Sequence, residues 1–265
     1  MRILISFIVL SFVFPVSAQN REAPKEVRSK LFKMVMDQYP DIRDCVEKEE
    51  GGFRAAEENA SVEEVDLNRD RVPEYEFQLS SPCDCGMVNC SIYLFRQSVT
   101  GYESILEGAS GMGLGVLKTS SNGYADVEVE ARDTAATRSS TTYKFDGKQY
   151  RESRTTIVDM DSGETKPAQR RVQFKRGTSS TTLQGHVTRA LSETYIVGAR
   201  EGQVMTVTLT GPNKSLNFLV SSPKTTSLIA DNSRNWTGTL PETGDYTIIV
   251  QADARATFSI TISVK

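Results

Sequence analysis

The sequence predicts a mainly β protein, in which an N-terminal α+β domain (a helix on an antiparallel meander) is followed by a C-terminal antiparallel β-sandwich. Apolar residues recur at helical spacing only near the N terminus. From Val62 onward they alternate with polar residues, which is typical of strands with one buried face. Short strand-like runs about 8–12 residues apart, separated by turn residues, predict the sandwich.

Residues 1–18 have the character of a secretory signal peptide. Arg2 precedes an apolar run from Ile3 to Val16, and Val16-Ser17-Ala18 is a small-residue cleavage signal. The run is shorter than the roughly 18 apolar residues that indicate a membrane span. We therefore expect a periplasmic or secreted protein with no membrane insertion after cleavage.

The charge pattern argues against nucleic acid as a partner. The formal net charge is -3, and lysine and arginine are scattered rather than clustered. A basic patch is the electrostatic requirement for binding phosphate backbones or an anionic membrane surface. We therefore expect neither kind of partner.

The apolar spacing predicts that residues 24–48 form the helix of the first domain. Pro40 is expected to break it, with Ile42 and Val46 continuing in a short second piece. The apolar positions that share one helix face are Val27, Leu31, Met34 and Val35.

The strands of the first domain follow the helix. Tyr75, Phe77 and Leu79 alternate with polar neighbours, while Asn122-Gly123 and Asp146-Gly147 are strong hairpin signals. Gly111-x-Gly113-x-Gly115 lacks the spacing and the lysine of phosphate-binding loops, so a flexible or edge-strand segment is expected there.

A polar stretch with glycine and proline marks the predicted domain boundary. We assign residues 19–160 to the N-terminal domain, 161–169 to a linker and 170–265 to the sandwich. The final strand shows the expected alternation, with the following residues on one face: Phe258, Ile260, Ile262 and Val264.

The four cysteines predict disulfides. An even count in an exported chain is typical of disulfide bonding, whereas a zinc site more often uses paired C-x2-C motifs, which are absent. Three pairings are open. The spacing favours Cys85–Cys90 closing a small loop and Cys45–Cys83 tying the helix to the sheet.

Enzyme signatures are scarce, and we predict a non-enzymatic protein. His186 is the one histidine, and no G-x-S-x-G motif supplies a nucleophile for it. We therefore expect a surface or hydrogen-bonded histidine in an early sandwich strand. A glycosidase pair cannot be selected among the carboxylates from spacing alone.

One loop has the oxygen pattern of a calcium site. Asp66, Asn68, Asp70 and Glu74 occupy alternating positions and the end of a short loop, as a hard cation requires. The stretch resembles the DxNxDG-type loops of FG-GAP-like and dockerin-like calcium modules, and the DLNGDGxPEY stretch of small exported bacterial proteins.

Arginine stands where those loops usually carry glycine. Arg69 and Arg71 reduce the local negative charge, and Arg71 occupies a place where a positive φ is normally needed. The alternative to a calcium site is a structural turn in which Asp and Asn bond their own backbone.

The C-terminal part carries a second set of motifs. Phe174 is followed by Gly177 and Gly185, and Tyr195 precedes the following turn and strand motifs: Ala199-x-x-Gly202-Gln203, Met205-Thr206-Val207, Trp236-Thr237-Gly238-Thr239-Leu240-Pro241 and Gly244-Asp245-Tyr246-Thr247. These motifs resemble those of bacterial g-type lysozyme inhibitors and, more distantly, the pre-peptidase C-terminal β-sandwich.

The resemblance implies a sandwich that binds a protein, with a g-type lysozyme as the first candidate, or else a cell-wall component. In that family an arginine-containing loop precedes the last strand. The short segment Gln251–Ala256 takes this place, so the implied binding residues are Asp253 and Arg255. An arginine can satisfy catalytic carboxylates in a cleft. The alternative function is a calcium-stabilised structural or adhesion module of the periplasm or cell surface.

Overall fold

The computed structural model describes residues 21–224 and 227–265, so the predicted signal peptide lies outside the described residues. Within these ranges the chain is mainly β with a small helical region, as predicted. The helices are α1 (Lys25–Gln38), α2 (Pro40–Val46) and α3 (Gly52–Asn59). In the part of the chain that the structure describes, no helix is long and apolar enough to cross a membrane.

The chain divides into two compact units. The first extends to residue 84 and continues over 93–107, and the second comprises 85–92 and 108–265. A short strand, Thr165–Pro167, lies inside the predicted linker and pairs with the strand Tyr150–Asp159. The domain ranges taken from the sequence stay predictions.

The helices form where the sequence places apolar side chains on one face. The predicted break is confirmed, because α1 ends at Gln38 and α2 begins at Pro40. The buried residues of α1 are Leu31, Phe32, Val35 and Met36. Helix α3 was not predicted. It begins after Gly51, whose φ of 83° turns the chain sharply, and its Gly-Gly start is typical of a turn.

The first sheet follows chain order. Its strands are β1 (Arg21–Glu22), β2 (Ala60–Val65), β3 (Glu74–Leu79), β4 (Cys90–Ser98) and β5 (Gly101–Gly111). Strands β2 and β3 are antiparallel, and residues 66–73 connect them. The disulfides join Cys45 to Cys83 and Cys85 to Cys90, which is the pairing that the sequence favours.

The second sheet is also a meander in chain order. Its strands are β6 (Gly113–Ser121), β7 (Tyr124–Arg132), β8 (Thr137–Phe145), β9 (Tyr150–Asp159) and β10 (Thr165–Pro167). Both predicted hairpins are confirmed: Asn122 and Gly123 have φ of 48° and 85°, and Gly147 has φ of 106°. Gly111 is required by close approach, because a Cβ there would lie 2.7 Å from the carbonyl oxygen of Glu130.

The remaining strands form the sandwich. They are β11 (Arg170–Arg171), β12 (Ser180–Val187), β13 (Glu193–Ala199), β14 (Val204–Thr210), β15 (Asn217–Ser221), β16 (Leu228–Ser233), β17 (Asn235–Thr239), β18 (Gly244–Gln251) and β19 (Ala256–Val264). One sheet has the order β11-β13-β18-β15-β16 and the other has the order β12-β19-β14-β17.

The sandwich core is built from the alternating residues that the sequence predicts. Members of this apolar core include Met205, Val207, Leu209, Tyr246, Ile248, Val250, Phe258, Ile260, Ile262 and Val264, all buried. The hydroxyl of Tyr246 is satisfied internally: it donates to the carbonyl of Glu242 at 2.7 Å and accepts the amide N–H of Glu242 at 3.2 Å. These two hydrogen bonds fix the turn before β18.

Candidate functional site

Three loops meet at one end of the sandwich and enclose a polar cleft. They are the β12–β13 turn, the β14–β15 connection and the β18–β19 turn. The cleft has a volume of about 380 Å³ and is lined by Thr188, Arg189, Ala190, Ser192, Ser215, Asn217, Gln251, Ala252 and Asp253. Its lining is mostly neutral and polar, with one arginine and one aspartate, so it can hydrogen-bond a polar surface.

Asp253, one of the two residues that the resemblance implied, lines this cleft. Its carboxylate contacts the hydroxyl of Ser215, and its amide N–H donates to the same hydroxyl oxygen at 3.1 Å. Asp253 therefore ties the β18–β19 turn to the β14–β15 connection. Its acidic group is already engaged within the chain.

Arg255, the other implied residue, lies in the same turn and faces the β9–β10 connection. Its Nη1 donates to Oε2 of Glu164 at 2.8 Å, and the other carboxylate oxygen of Glu164 contacts Nε2 of His186. These two contacts, the histidine hydrogen bond first, lower the pKa of the Glu164 carboxyl below its usual value. His186 is thus a hydrogen-bonded strand residue, as predicted.

Arg189 is the functional candidate that sequence reasoning missed. It is exposed at the rim of the cleft, and its guanidinium makes no hydrogen bond or ion pair within residues 21–224 and 227–265. The signal in the sequence was weak: a single arginine in the turn between two strands. Only the fold brings it beside the β18–β19 turn.

A buried ion pair holds the β9–β10 hairpin on the side of this site. Nζ of Lys166 lies 3.7 Å from Oε1 of Glu193 and also donates to the backbone carbonyl of His186. The other oxygen of Glu193 lies 3.5 Å from Nη1 of Arg170. Burial lowers the pKa of Lys166, with Glu193 opposing that change.

A larger groove lies elsewhere on the second unit. It has a volume of about 830 Å³ and lies between the outer edge of β9 and the sandwich strands β13 and β18. Arg171 donates to Asp245 in a bidentate ion pair at this groove.

The predicted calcium loop lies in the first unit and is held by its own backbone. The carboxylate of Asp66 accepts the amide N–H of Arg69 at 2.7 Å and of Arg71 at 3.2 Å. Both arginines have positive φ, 63° and 69°, so they adopt the conformation that glycine takes most easily. The loop therefore has the shape of the glycine-containing loops that it resembles.

The oxygen atoms of this loop already have donors. Asn68 turns its amide nitrogen toward Asp70 at 2.9 Å and toward Glu74 at 3.4 Å. Glu74 also accepts the amide N–H of Leu67 at 2.8 Å. The asparagine NH₂ group thus bridges the carboxylates of Asp70 and Glu74.

The side chains in this form do not fit a metal ion directly. Among the described residues, no group of three or more His, Cys, Asp or Glu side chains is arranged to hold one. Calcium binding by Asp66, Asn68, Asp70 and Glu74 stays a prediction.

Glu74 is the unusual group of the loop. It is only 3% exposed, and burial raises the pKa of its carboxyl to about 7, with the nearby carboxylates of Asp70 and Asp66 adding to the rise. A charge of this kind is costly without a partner. A bound cation would remove that cost.

Comparison with solved structures gives neighbours that each match 37% of this chain. One is Aeromonas hydrophila PliG, a periplasmic lysozyme inhibitor of g-type lysozyme, with 30% identity over 96% of its chain and a TM-score of 0.34. Salmonella Typhimurium PliG, with the same description, shows 21% identity over 97% of its chain at 0.31. The pre-peptidase C-terminal domain of a Bacillus anthracis collagenase shows 13% identity over 94% of its chain at 0.29. No protein-family model and no curated protein matches the chain.

Proposed function

We propose that this chain is an exported, non-enzymatic binding protein, and that the loop end of its sandwich binds a protein, with a g-type lysozyme as the first candidate. One observation carries the proposal. Arg189 and Asp253 line one polar cleft, where Arg189 is exposed, and Arg255 lies in the same turn as Asp253. The motif resemblance of residues 170–265 supports the choice of partner.

An arginine at such a site suits a carboxylate-containing partner. Its planar guanidinium presents five donors and can bind a carboxylate through two parallel hydrogen bonds. Arginine is also enriched among the residues that contribute most to binding at interfaces. A lysozyme with carboxylates in its substrate cleft is a partner of this chemistry.

The contacts of the cysteines and of His186 support a binding role over catalysis. All four cysteines are in disulfides, so none supplies a thiolate. The Nε2 atom of His186 is engaged by Glu164 rather than by a serine or cysteine. A binding role needs neither group.

A cell-wall turbidity assay tests the proposal. The full chain is titrated against goose-type, chicken-type and invertebrate-type lysozymes, together with the variants Arg189→Ala and Arg255→Ala. The matched control is Arg200→Ala, because Arg200 is exposed at the opposite end of β13. Loss of one contributing arginine at an interface costs about 1–2 kcal/mol, so we expect roughly tenfold weaker inhibition for Arg189→Ala and for Arg255→Ala.

The expected pattern is inhibition of the goose-type enzyme alone, weakened by Arg189→Ala and Arg255→Ala and unchanged in the control. Absence of inhibition at a large molar excess would remove the lysozyme proposal. Equal weakening by Arg200→Ala would move the binding surface away from the cleft.

The second candidate function is a calcium-stabilised structural or adhesion module. The observation that favours it is the loop of residues 66–74, in which Arg69 and Arg71 hold positive φ and Glu74 is buried with a raised pKa. This function predicts that calcium raises the free energy of unfolding. Equal free energies of unfolding in calcium and in chelator would rule out this function.

A further inference from the structure

The Glu164 carboxylate accepts a hydrogen bond from Arg255, an arginine of the proposed binding site. Glu164 belongs to the β9–β10 connection, outside the sandwich, and is 91 residues from Arg255 in the chain. The Glu164 side chain is 19% exposed, whereas that of Arg255 is 66% exposed. A carboxylate of the same chain therefore binds a guanidinium that otherwise faces solvent.

The turn that carries Glu164 is rigidly built. The carboxylate of Asp159 accepts the amide N–H groups of Asp161 at 3.0 Å and Ser162 at 3.2 Å, and Gly163 turns the chain with φ of 70°. The backbone of Glu164 then accepts the N–H of Asp159 at 2.9 Å. Glu164 is thus presented in a fixed position rather than on a loose loop.

Separate contacts hold this hairpin to the sandwich. Lys166 and Glu193 form a pair with exposures of 6% and 8%, and Thr188 donates from its hydroxyl to Asp159 at 3.2 Å. The partly exposed contact between Glu164 and Arg255 can therefore be lost while the buried pair keeps the hairpin in place. The two sets of contacts have different roles.

We infer that the ion pair between Glu164 and Arg255 blocks Arg255 within the chain, and that it thereby lowers the affinity of the sandwich end for a carboxylate-bearing partner. The inference rests on the proposed function. A partner carboxylate has to displace Glu164 from Nη1 of Arg255 before it can take that nitrogen. The hydrogen bond from Arg255 to the Glu164 carboxylate is of the same kind as the one that a partner carboxylate would form with Arg255.

The test compares Glu164→Gln with Asp161→Asn in the full chain. Both variants remove one negative charge from the same turn, but the side chain of Asp161 is exposed and makes no contact with Arg255. Glutamine keeps the shape of the side chain and loses the charge. Unchanged thermal unfolding of both variants would show that the hairpin remains docked.

The first measurement is modification by phenylglyoxal, followed residue by residue with mass spectrometry, using Arg189 as the internal reference. An exposed ion pair contributes at most about 1 kcal/mol, so Arg255 is expected to react about three to five times faster in Glu164→Gln. Its reactivity in Asp161→Asn is expected to equal that of the wild type. Equal reactivity of Arg255 in all three proteins would overturn the inference.

The second measurement is binding to goose-type lysozyme. Glu164→Gln is expected to bind about three to five times more tightly, and the gain should vanish when Arg255→Ala is added. If Arg255 becomes more reactive but no variant binds lysozyme, the masking by Glu164 stands and the proposed partner fails. If the wild type and Glu164→Gln bind lysozyme equally, the role of Glu164 in affinity is refuted while the proposed function stands.

Discussion

Replacing Glu74 with glutamine should change how stability depends on pH. The pKa of Glu74 is about 7 in the folded chain, against 4.5 for an ordinary glutamate, chiefly because the carboxyl is buried. Below about pH 4.5 the group is protonated in both states and costs nothing. Between about pH 4.5 and pH 7 the Glu74 carboxyl is ionised in the unfolded chain but still protonated in the folded chain. The wild type therefore loses stability as the pH rises through this range.

The magnitude follows from the shift. One pKa unit corresponds to about 1.4 kcal/mol, so the full difference amounts to roughly 3 kcal/mol, reached above about pH 7. Glu74→Gln does not titrate and avoids this loss. Its free energy of unfolding should match that of the wild type near pH 4 and exceed it by about 2–3 kcal/mol near pH 8.5.

Glu76 supplies a matched control. Its pKa is also raised to about 7, by burial and by the carboxylate of Glu63, but it lies outside the predicted calcium loop. Urea unfolding should give the same pH profile for Glu76→Gln. If calcium binds, it should stabilise the wild type and Glu76→Gln near pH 8.5, and should lose most of this effect in Glu74→Gln.

Two results would refute this reasoning. Equal unfolding free energies of the wild type and Glu74→Gln from about pH 5 to pH 8.5 would mean that burial does not raise the pKa as described. An equal response to calcium in both glutamine variants would mean that the cation binds elsewhere.

Three further predictions concern stability, each measured by urea unfolding. Arg71→Gly should stabilise the protein by about 0.5–1 kcal/mol, because glycine adopts the φ of 69° without the steric cost; destabilisation would show that the arginine side chain contributes more than its conformation costs. Tyr246→Phe should cost about 1–3 kcal/mol by leaving the backbone of Glu242 unsatisfied, and a neutral result would require water to replace the hydroxyl. Replacing both Cys45 and Cys83 with serine should cost about 4 kcal/mol, against about 2 kcal/mol for the other disulfide, because the closed segments have sequence separations of 38 and 5; equal losses would contradict the loop-entropy account.

Local signals predicted much of the fold. Pro40 placed the helix break correctly because proline cannot continue the backbone hydrogen bonding of α1. The alternation of Phe258 to Val264 identified the buried face of β19 because side chains in a strand have a period of two. Helix α3 was missed because Gly51-Gly52 indicates a turn, and the same turn starts a helix.

The site was less predictable because its contacts join distant parts of the chain. The sequence resemblance pointed to Asp253 and Arg255, yet Asp253 contacts Ser215, 38 residues away, and Arg255 contacts Glu164, 91 residues away. No spacing rule covers such pairs. Arg189 carried no motif, and its place beside the cleft depends on the packing of three turns.

Strand β11 has a consequence for self-association. Its two residues pair in parallel with Tyr195 and Ile196 of β13, and Val172 continues the contact by donating to Ile196 at 2.9 Å. The chain entering the sandwich thereby occupies an edge that could otherwise accept a strand from a second copy. Deleting Arg170 and Arg171 should expose that edge, so the shortened protein should dimerise or aggregate at lower concentrations than the intact chain.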